Sequence, residues 1–405
     1  MREGGAMKKF ISLAMGLLIM AGVLIAGCEG GDGGAAGPTA STLPTAQTWA
    51  IDTAASAGQV GEYSSIAVDS NGKAHIACFE YVRDEYIGAD AVPYGNLRYA
   101  TNASGALEDF TLDTGTGMTP RIYVDKGDNV HIVHTKLGAS DIQTMLDIKY
   151  TTNKSGSWET VAVASRVVKG SDASIAVDAD GKVHISLRNE EGVGTTDEGG
   201  QGGLRYVTNA TGGWTWVDVD ASVNCGNDGD IAVDGDGNVH ISYLDKDAGL
   251  KYATNAGGSW EYQLVDGTQH VGWNTSIAVD SNGNVHISYS DPAAILEYPG
   301  NGYLKYATSA PGDWDIQVVD AEDAGFFTGN AVDGDGAVHI AYYSWDGMDG
   351  ELRYATNASG TWVKETVDSE GITGLYSAIA LDAEGNPHIS YWQYDDKDLK
   401  YASRG

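Results

Sequence analysis

A thirteen-residue phrase returns seven times along the chain, and no other feature constrains the fold as strongly. It reads SIAVDSNGKAHIA, RIYVDKGDNVHIV, SIAVDADGKVHIS, DIAVDGDGNVHIS, SIAVDSNGNVHIS, GNAVDGDGAVHIA and AIALDAEGNPHIS. Its histidines, His75, His131, His184, His240, His286, His339 and His388, stand 46 to 56 residues apart. A second phrase, such as LRYATNASG or LKYATNAGG, centres on Tyr99, Tyr150, Tyr206, Tyr252, Tyr306, Tyr354 and Tyr401. A third opens on Trp49, Trp158, Trp214, Trp260, Trp314 and Trp362, with Leu107 in the equivalent place of one unit. Self-similarity at such a period means that each copy is one small unit that cannot bury its apolar face alone.

The runs IAVD and VHISY alternate with period two, and Gly-containing turns separate them, so they predict strands rather than helices. Each unit then holds four short strands. The expected fold is all-β: a seven-bladed β-propeller with four antiparallel strands per blade, because radial closure leaves few exposed edges. The count closes circularly. The last unit stops after its third strand, LKYASRG, whereas the body opens on an orphan fourth strand, TWAIDTA. The N-terminal strand is therefore expected to complete the last blade and close the ring.

In Asp69-Ser70-Asn71-Gly72-Lys73 the glycine falls where a type I turn with a bulge needs a left-handed residue. This loop pairs Ala67 with His75 and makes Asp69 and His75 diagonal neighbours on one face. The same spacing joins Asp125 to His131, Asp178 to His184, Asp234 to His240, Asp280 to His286, Asp333 to His339 and Asp382 to His388. Seven copies in seven blades cannot all be one active site. They are expected to be structural pairs bracing each inner hairpin, since buried polar groups must be paired. The basic slot of the third strand, Arg98, Lys149, Arg205, Lys251, Lys305, Arg353 and Lys400, is expected to pair with surplus carboxylates. The turns Asp234-Gly235-Asp236-Gly237-Asn238 and Asp333-Gly334-Asp335 are oxygen-rich enough for calcium. Lys73 and Lys182 occupy ligand-like positions in sister turns, no loop ends in a bidentate Glu, and tight Asp-Gly turns are common without metal. No metal or other cofactor is assigned, with calcium at these turns the alternative. Zinc-type Cys/His spacing, a phosphate-cradling glycine loop and a serine nucleophile elbow are all missing from the sequence.

Residues 7 to 28 carry Lys8 and Lys9, then an apolar run from Phe10, then Leu24-Ile25-Ala26-Gly27-Cys28. This ending resembles a bacterial lipobox. The resemblance implies cleavage before Cys28 and lipidation of that residue, giving a signal peptide at 1–27, a tether at 28–47 and the propeller at 48–405. About 19 residues of Gly, Ala, Thr, Ser and Pro in the tether reach roughly 24 Å. Residues 1–27 hold Arg2, Glu3, Lys8 and Lys9, a net +2, so cleavage would take the formal charge from −32 to −34. A chain that acidic repels nucleic acid and anionic lipid. Membrane contact is expected through the lipid alone, in the bacterial cell envelope, periplasmic or at the cell surface, with the chain a monomer. Cys78 and Cys225 lie in different repeats and suggest no disulfide framework.

Two loop sets of each blade, second-to-third and fourth-to-first, share one face and vary, and variable loops on a repeated scaffold are where binding usually resides. That face carries Tyr81, Tyr86 and Tyr94, then His270, Trp273, Phe326, Phe327, Trp345, Tyr376, Trp392 and Tyr394, with Tyr63 near the axis. Glu80, Asp245 and Asp291 add carboxylates at the ends of second strands. Of these, Trp273, Phe327, Trp345, Tyr376, Trp392, Tyr63, Glu80, Asp245 and Asp291 are the ligand-binding candidates. Aromatic rings among carboxylates suit a sugar, which offers C–H faces to stack and hydroxyls to bond. The turn TNASGTW at 356–362 resembles the Asp-box of sialidase-like propellers, although it lacks the Asp and is one residue shorter. The Asp–His pairing is similar to the bracing in tryptophan-aspartate-repeat propellers. Sialidases of that superfamily grip a substrate carboxylate with three arginines. Arg83, Arg121 and Arg188 lie outside the repeat slots, on the variable face of blades one to three, and would be an acidic-sugar clamp. The leading expectation is a lipid-anchored propeller that binds a glycan or an envelope protein without catalysis. The alternative is a sialidase-like hydrolase or polysaccharide lyase acting on acidic sugars, with Tyr63 or Tyr376 as nucleophile or base.

Overall fold

The computed structural model describes residues 48–87, 90–116, 118–137, 145–168, 173–189, 203–268, 271–292, 302–310, 312–322, 324–345 and 349–405. The signal segment, Cys28, the tether and His270 lie outside the described residues, as does the side chain of Tyr86.

The strands form seven antiparallel four-stranded blades, running along the chain as 59–116, 121–168, 173–220, 227–266, 273–320, 324–368 and 373–403. The seventh takes its outermost strand from the other end of the body. Ala50–Ala55 pairs antiparallel with Asp398–Ser403, from Ala50↔Ser403 to Ala55↔Leu399, and thus closes the ring. Trp49 sits just before this strand. Its ring meets Tyr354 of blade 6 edge-on at 5.3 Å, and the Arg404 guanidinium lies 4.6 Å above it while pairing with Glu365. The two ends of the body therefore grip the same neighbouring blade.

Each inner hairpin is set by its turn. In Asp280-Ser281-Asn282-Gly283-Asn284 the Asp280 Oδ1 accepts the amides of Asn282 and Asn284, both at 2.8 Å, and Gly283 takes the left-handed φ of 80° that this loop requires. All seven turns repeat the two hydrogen bonds, with distances of 2.8–3.0 Å, and the left-handed position is glycine in six of them and Asp128 in blade 2. The second oxygen turns to the histidine across the hairpin, at 3.1–3.5 Å from Nε2. In blades 1, 5 and 7 this approach, at 3.4–3.5 Å, is longer than a good hydrogen bond. The other ring nitrogen, Nδ1, lies 2.5–2.6 Å from the hydroxyl of the third-strand tyrosine in every blade. With the carboxylate facing Nε2, the imidazole is neutral with its proton there, and the tyrosine donates to Nδ1.

The same tyrosine is what the next blade packs against. The ring centroids of Trp158, Trp214, Trp260, Trp314 and Trp362 lie 5.0–5.4 Å from Tyr99, Tyr150, Tyr206, Tyr252 and Tyr306 of the preceding blade. Leu107 fills that place against the core that holds Tyr401. One motif thus links a turn, a histidine, a tyrosine and the neighbouring blade, and edge-on aromatic pairs add to the apolar burial.

A second set of inter-blade contacts is polar. The buried phenols of Tyr243, Tyr289, Tyr342 and Tyr391 donate at 2.7–2.9 Å to Asp220, Asp266, Asp320 and Asp368 at the end of the preceding blade. Where the acceptor position is Ala55 or Ala164, the facing residue is Cys78 or Leu187. Each buried phenol keeps its acceptor, as the cost of an unpaired buried hydroxyl demands; at the junction of blades 1 and 2 the acceptor position is Asp113, which pairs with Lys136 while His134 takes the place of the tyrosine.

One interface breaks its own rule. Ser242, Ser288 and Ser390 meet Thr275, Thr328 and Ser64 of the next blade at 2.6–3.0 Å. Ser186, 1 % exposed, faces blade 4 where that hydroxyl is replaced by Gly229, and its Oγ has no partner among the described residues. A Cβ on Gly229 meets nothing closer than 3.4 Å. Gly229→Ser is therefore expected to stabilise the protein by about 1 kcal/mol, through the restored hydrogen bond and a stiffer unfolded chain. Chemical denaturation reads this directly, and a lower midpoint for the variant would refute it.

Candidate functional site

The inner strands carry an irregularity that their alternation does not announce. Six residues before the turn Asp, the backbone of each described copy enters the left-handed region: Tyr63 (φ 55°), Thr119 (66°), Asp228 (47°), Asn274 (49°), Phe327 (52°) and Tyr376 (54°). In blades 1, 4, 5, 6 and 7 the register of the inner hairpin shifts at this point, as a bulge requires. Left-handed Asn or Asp is ordinary, but Tyr and Phe there are strained, and such strain persists only where surrounding structure imposes it.

The imposing contacts are visible. The residue after the left-handed one donates its hydroxyl to the carbonyl of the left-handed residue in the preceding blade: Thr275 to Asp228, Thr328 to Asn274, Ser377 to Phe327 and Ser64 to Tyr376, at 2.7–3.1 Å. Four successive blade junctions are stitched in this way. Because the inner strands converge on the axis, the bulged side chains meet there. The rings of Tyr63 and Tyr376 are 4.3 Å apart and those of Phe327 and Tyr376 4.5 Å apart.

The mouth of the axis is consequently two-sided. Blades 6, 7 and 1 contribute Phe327, Tyr376 and Tyr63, while blades 2, 4 and 5 contribute Thr119, Asp228 and Asn274. Trp392, 1 % exposed, lies under Tyr376 with ring centroids 6.1 Å apart, and Tyr343, Trp345, Phe326, Ile372 and Tyr394 pack around the same cluster. Tyr376 itself is 7 % exposed. Two of the aromatic candidates, Tyr376 and Trp392, therefore form the floor, and Tyr63, Phe327 and Trp345 remain half-buried and reachable. Trp273, on the inner strand of blade 5, is half-buried and stands outside the cluster.

The carboxylate candidates are placed differently from the rings. Asp245 lies 2.7 Å from Lys251 and Asp291 2.8 Å from Lys305, and both lysines also reach the inter-blade Asp220 and Asp266. Glu80 lies 3.2 Å from Arg98 and takes a hydrogen bond from Asn96. All three are held in ion pairs by the basic slot of their own blades. A different acid sits at the aromatic cluster. Glu62, next to Tyr63 on the bulge, is 4 % exposed; burial raises its pKa, while a hydrogen bond from Gln59 and the charge of Lys397 act against that rise. Burial, with Tyr63 and Glu62 beside it, pushes the Tyr376 phenol well above its ordinary range. It is a hydrogen-bond donor, not a base.

The three arginines have separate surroundings. Arg83 is exposed, its guanidinium 4.0 Å above the Tyr94 ring. Arg121 is half-buried at the start of the inner strand of blade 2 and donates to the Pro120 carbonyl at 3.3 Å. Arg188 is buried on the second strand of blade 3. Among the described residues, no group of three or more His, Cys, Asp or Glu is placed to hold a metal ion, and both oxygens of each turn Asp already face donors.

The sequence matches no known domain family and no curated protein. Solved structures do resemble it. A polysaccharide lyase described as an ulvan lyase, free and bound to -[GlcA(1-4)Rha3S]-, superposes with TM-scores of 0.55 and 0.54, at 13% identity over 84% of this chain and 91% of that one. A GH74 xyloglucanase from Xanthomonas campestris gives 0.50 at 14% identity, covering 87% of this chain and 55% of that one. The intramolecular trans-sialidase from Ruminococcus gnavus gives 0.45 at 13% identity, covering 87% and 96%. At such identities the likeness is one of fold: this is a seven-bladed propeller whose structural neighbours include polysaccharide lyase and sialidase propellers.

Proposed function

We propose that the chain is a lipid-anchored, extracytoplasmic binding propeller whose ligand is a glycan seated on the axial aromatic cluster. The observation that carries the reading is the convergence of Phe327, Tyr376 and Tyr63 from three successive blades, each on a strained bulge. Half-buried rings over an aromatic floor offer a stacking platform, and Thr119, Asp228 and Asn274 across the mouth offer polar groups to sugar hydroxyls. An envelope protein presenting a comparable surface is the other occupant of the same face. Phe327→Ala is expected to weaken binding of array-identified glycans about tenfold, some 1.4 kcal/mol, with little change in melting temperature. An array and an envelope pull-down that both return nothing would end this reading. The anchor has its own check. Cys28→Ala should move the protein from the membrane to the soluble fraction of a bacterial host, and retention in the membrane would exclude lipidation there.

A second reading, hydrolysis or elimination on an acidic sugar, is favoured by the placement of Glu62 beside Tyr376 and Tyr63. The direction of the Tyr376 shift weighs against that residue as nucleophile or base. Turnover of sialosides or uronate polymers would establish the enzymatic reading.

A further inference from the structure

The buried acid of the axial cluster narrows the ligand class, on the premise that the glycan reading holds. Gln59 Nε2 donates to Glu62 Oε1 at 2.9 Å, and the other carboxyl oxygen has no hydrogen-bond partner among the described residues. The nearby cation, Lys397, directs its Nζ at Gln59 Oε1, 3.4 Å away, and makes no ion pair with Glu62. The groups facing Glu62 are thus Gln59 on its own strand, Lys397 from the last turn of blade 7, and the phenol of Tyr376. On the inner strand of blade 4, Asp230 is held only by neutral donors: Ser174, Ser276 and the amides of Ile231 and Ile277. A carboxyl with no ion-pair partner, beside a cluster of tilted rings whose faces are electron-rich, is how a protein receives an ammonium group. The chain's charge of −32 raises the local concentration of such a ligand and disfavours a polyanion.

We propose that Glu62 recognises the ammonium of an amino sugar with a free amine, whose ring stacks on Tyr63 and Phe327. Binding pairs the buried carboxyl with the ligand's ammonium, so that a desolvated acid gains a partner of opposite charge.

Calorimetry with a β-1,4-linked glucosamine tetramer and its N-acetylated counterpart tests this on the mature protein. The free amine is expected to bind at least tenfold more tightly, and Glu62→Gln, which keeps shape and removes charge, is expected to abolish that preference without weakening the N-acetylated tetramer. Asp335→Asn, an exposed turn residue on the opposite face, serves as the control for diffuse attraction and should leave the preference intact. The comparison of the two tetramers in the unmodified protein, made at a pH below the pKa of the sugar amine so that the ligand carries its ammonium, is a readout that does not depend on any variant folding. A preference that survives Glu62→Gln, or that falls equally with Asp335→Asn, overturns the proposal. Equal binding of both tetramers overturns it and leaves the glycan reading standing, whereas binding of no glycan at all removes both.

Discussion

Removal of residues 48–55 is expected to lower the melting temperature by about 10 °C or more and to broaden the transition. The segment supplies the whole outer strand of blade 7, buries Ala54 and Ala55 against the core of blade 1, and carries Trp49 onto Tyr354. Its loss strips Asp398–Ser403 of one hydrogen-bonding edge and leaves a bare strand open to association. A circular permutant that restores the same eight residues after Gly405 through a short flexible linker should recover most of the loss, because only connectivity has changed. Scanning calorimetry of the three chains decides the matter. A truncated chain that melts like the full one would mean that the seam contributes little and that the ring is held by its other junctions.

Stability is expected to fall steeply as the pH drops through about 6.5, the value for an unfolded histidine. All seven hairpin histidines have lowered pKa values, chiefly from burial, with the facing Asp opposing the shift. A histidine depressed in the folded state takes up its proton on unfolding, so acid favours the unfolded chain from about pH 6.5 down to the folded value. His134, buried between blades 1 and 2 and lowered to about 4, adds an eighth group of the same sign. The turn carboxylates reinforce the trend at lower pH. Burial works against their charge, but the amides and side chains they accept from hold Asp125 at about 2 and its six counterparts below their usual range. Those contributions are present above the ordinary carboxylate value and vanish as the pH falls through the folded ones. Urea titrations between pH 8 and pH 5 should show a slope approaching several protons per molecule, and His240→Gln should reduce it by about one. A flat profile over that range would show that the histidines are solvated rather than held neutral.

Much of the architecture was legible because its signals repeat. The offset between LKYASRG and TWAIDTA pointed to a ring closed by the first strand, and the structure places Ala50–Ala55 there. The six-residue spacing from turn Asp to histidine pointed to a diagonal contact, and the two groups do face each other across each hairpin. What the repeat concealed was the third partner. The tyrosine that completes each unit lies 12 to 24 residues downstream of the histidine, a variable distance set by loops rather than by strand geometry.

The candidate site was less legible, for a physical reason. Period-two alternation assumes an unbroken strand, and the bulge re-aims side chains just where Tyr63, Phe327 and Tyr376 occur. Glu62 is not marked in the sequence, because an acid before a tyrosine has the pattern of any solvent-facing residue until the register shift buries it. The reverse applies to Glu80, Asp245 and Asp291. Each has the sequence context of a free acid at a strand end, but the basic residue on the adjacent third strand, itself part of the repeat, reaches it. One clue was available in hindsight. Reading upward from each turn Asp, the sixth position is Tyr, Thr, Asp, Asp, Asn, Phe and Tyr. That position mixes large rings with short polar groups, as a slot would if it were not filled from the core.

The closure between Ala50 and Ser403 also sets an order of events during synthesis. The strand that leaves the ribosome first must wait for about 350 further residues before its partner exists, on the order of tens of seconds at ordinary elongation rates. Throughout that interval six blades can pair internally, each from contiguous chain, while the seventh cannot. The nascent protein therefore carries a lone sticky strand until Asp398–Ser403 has been made, and any factor that shields extended segments would find its natural client there.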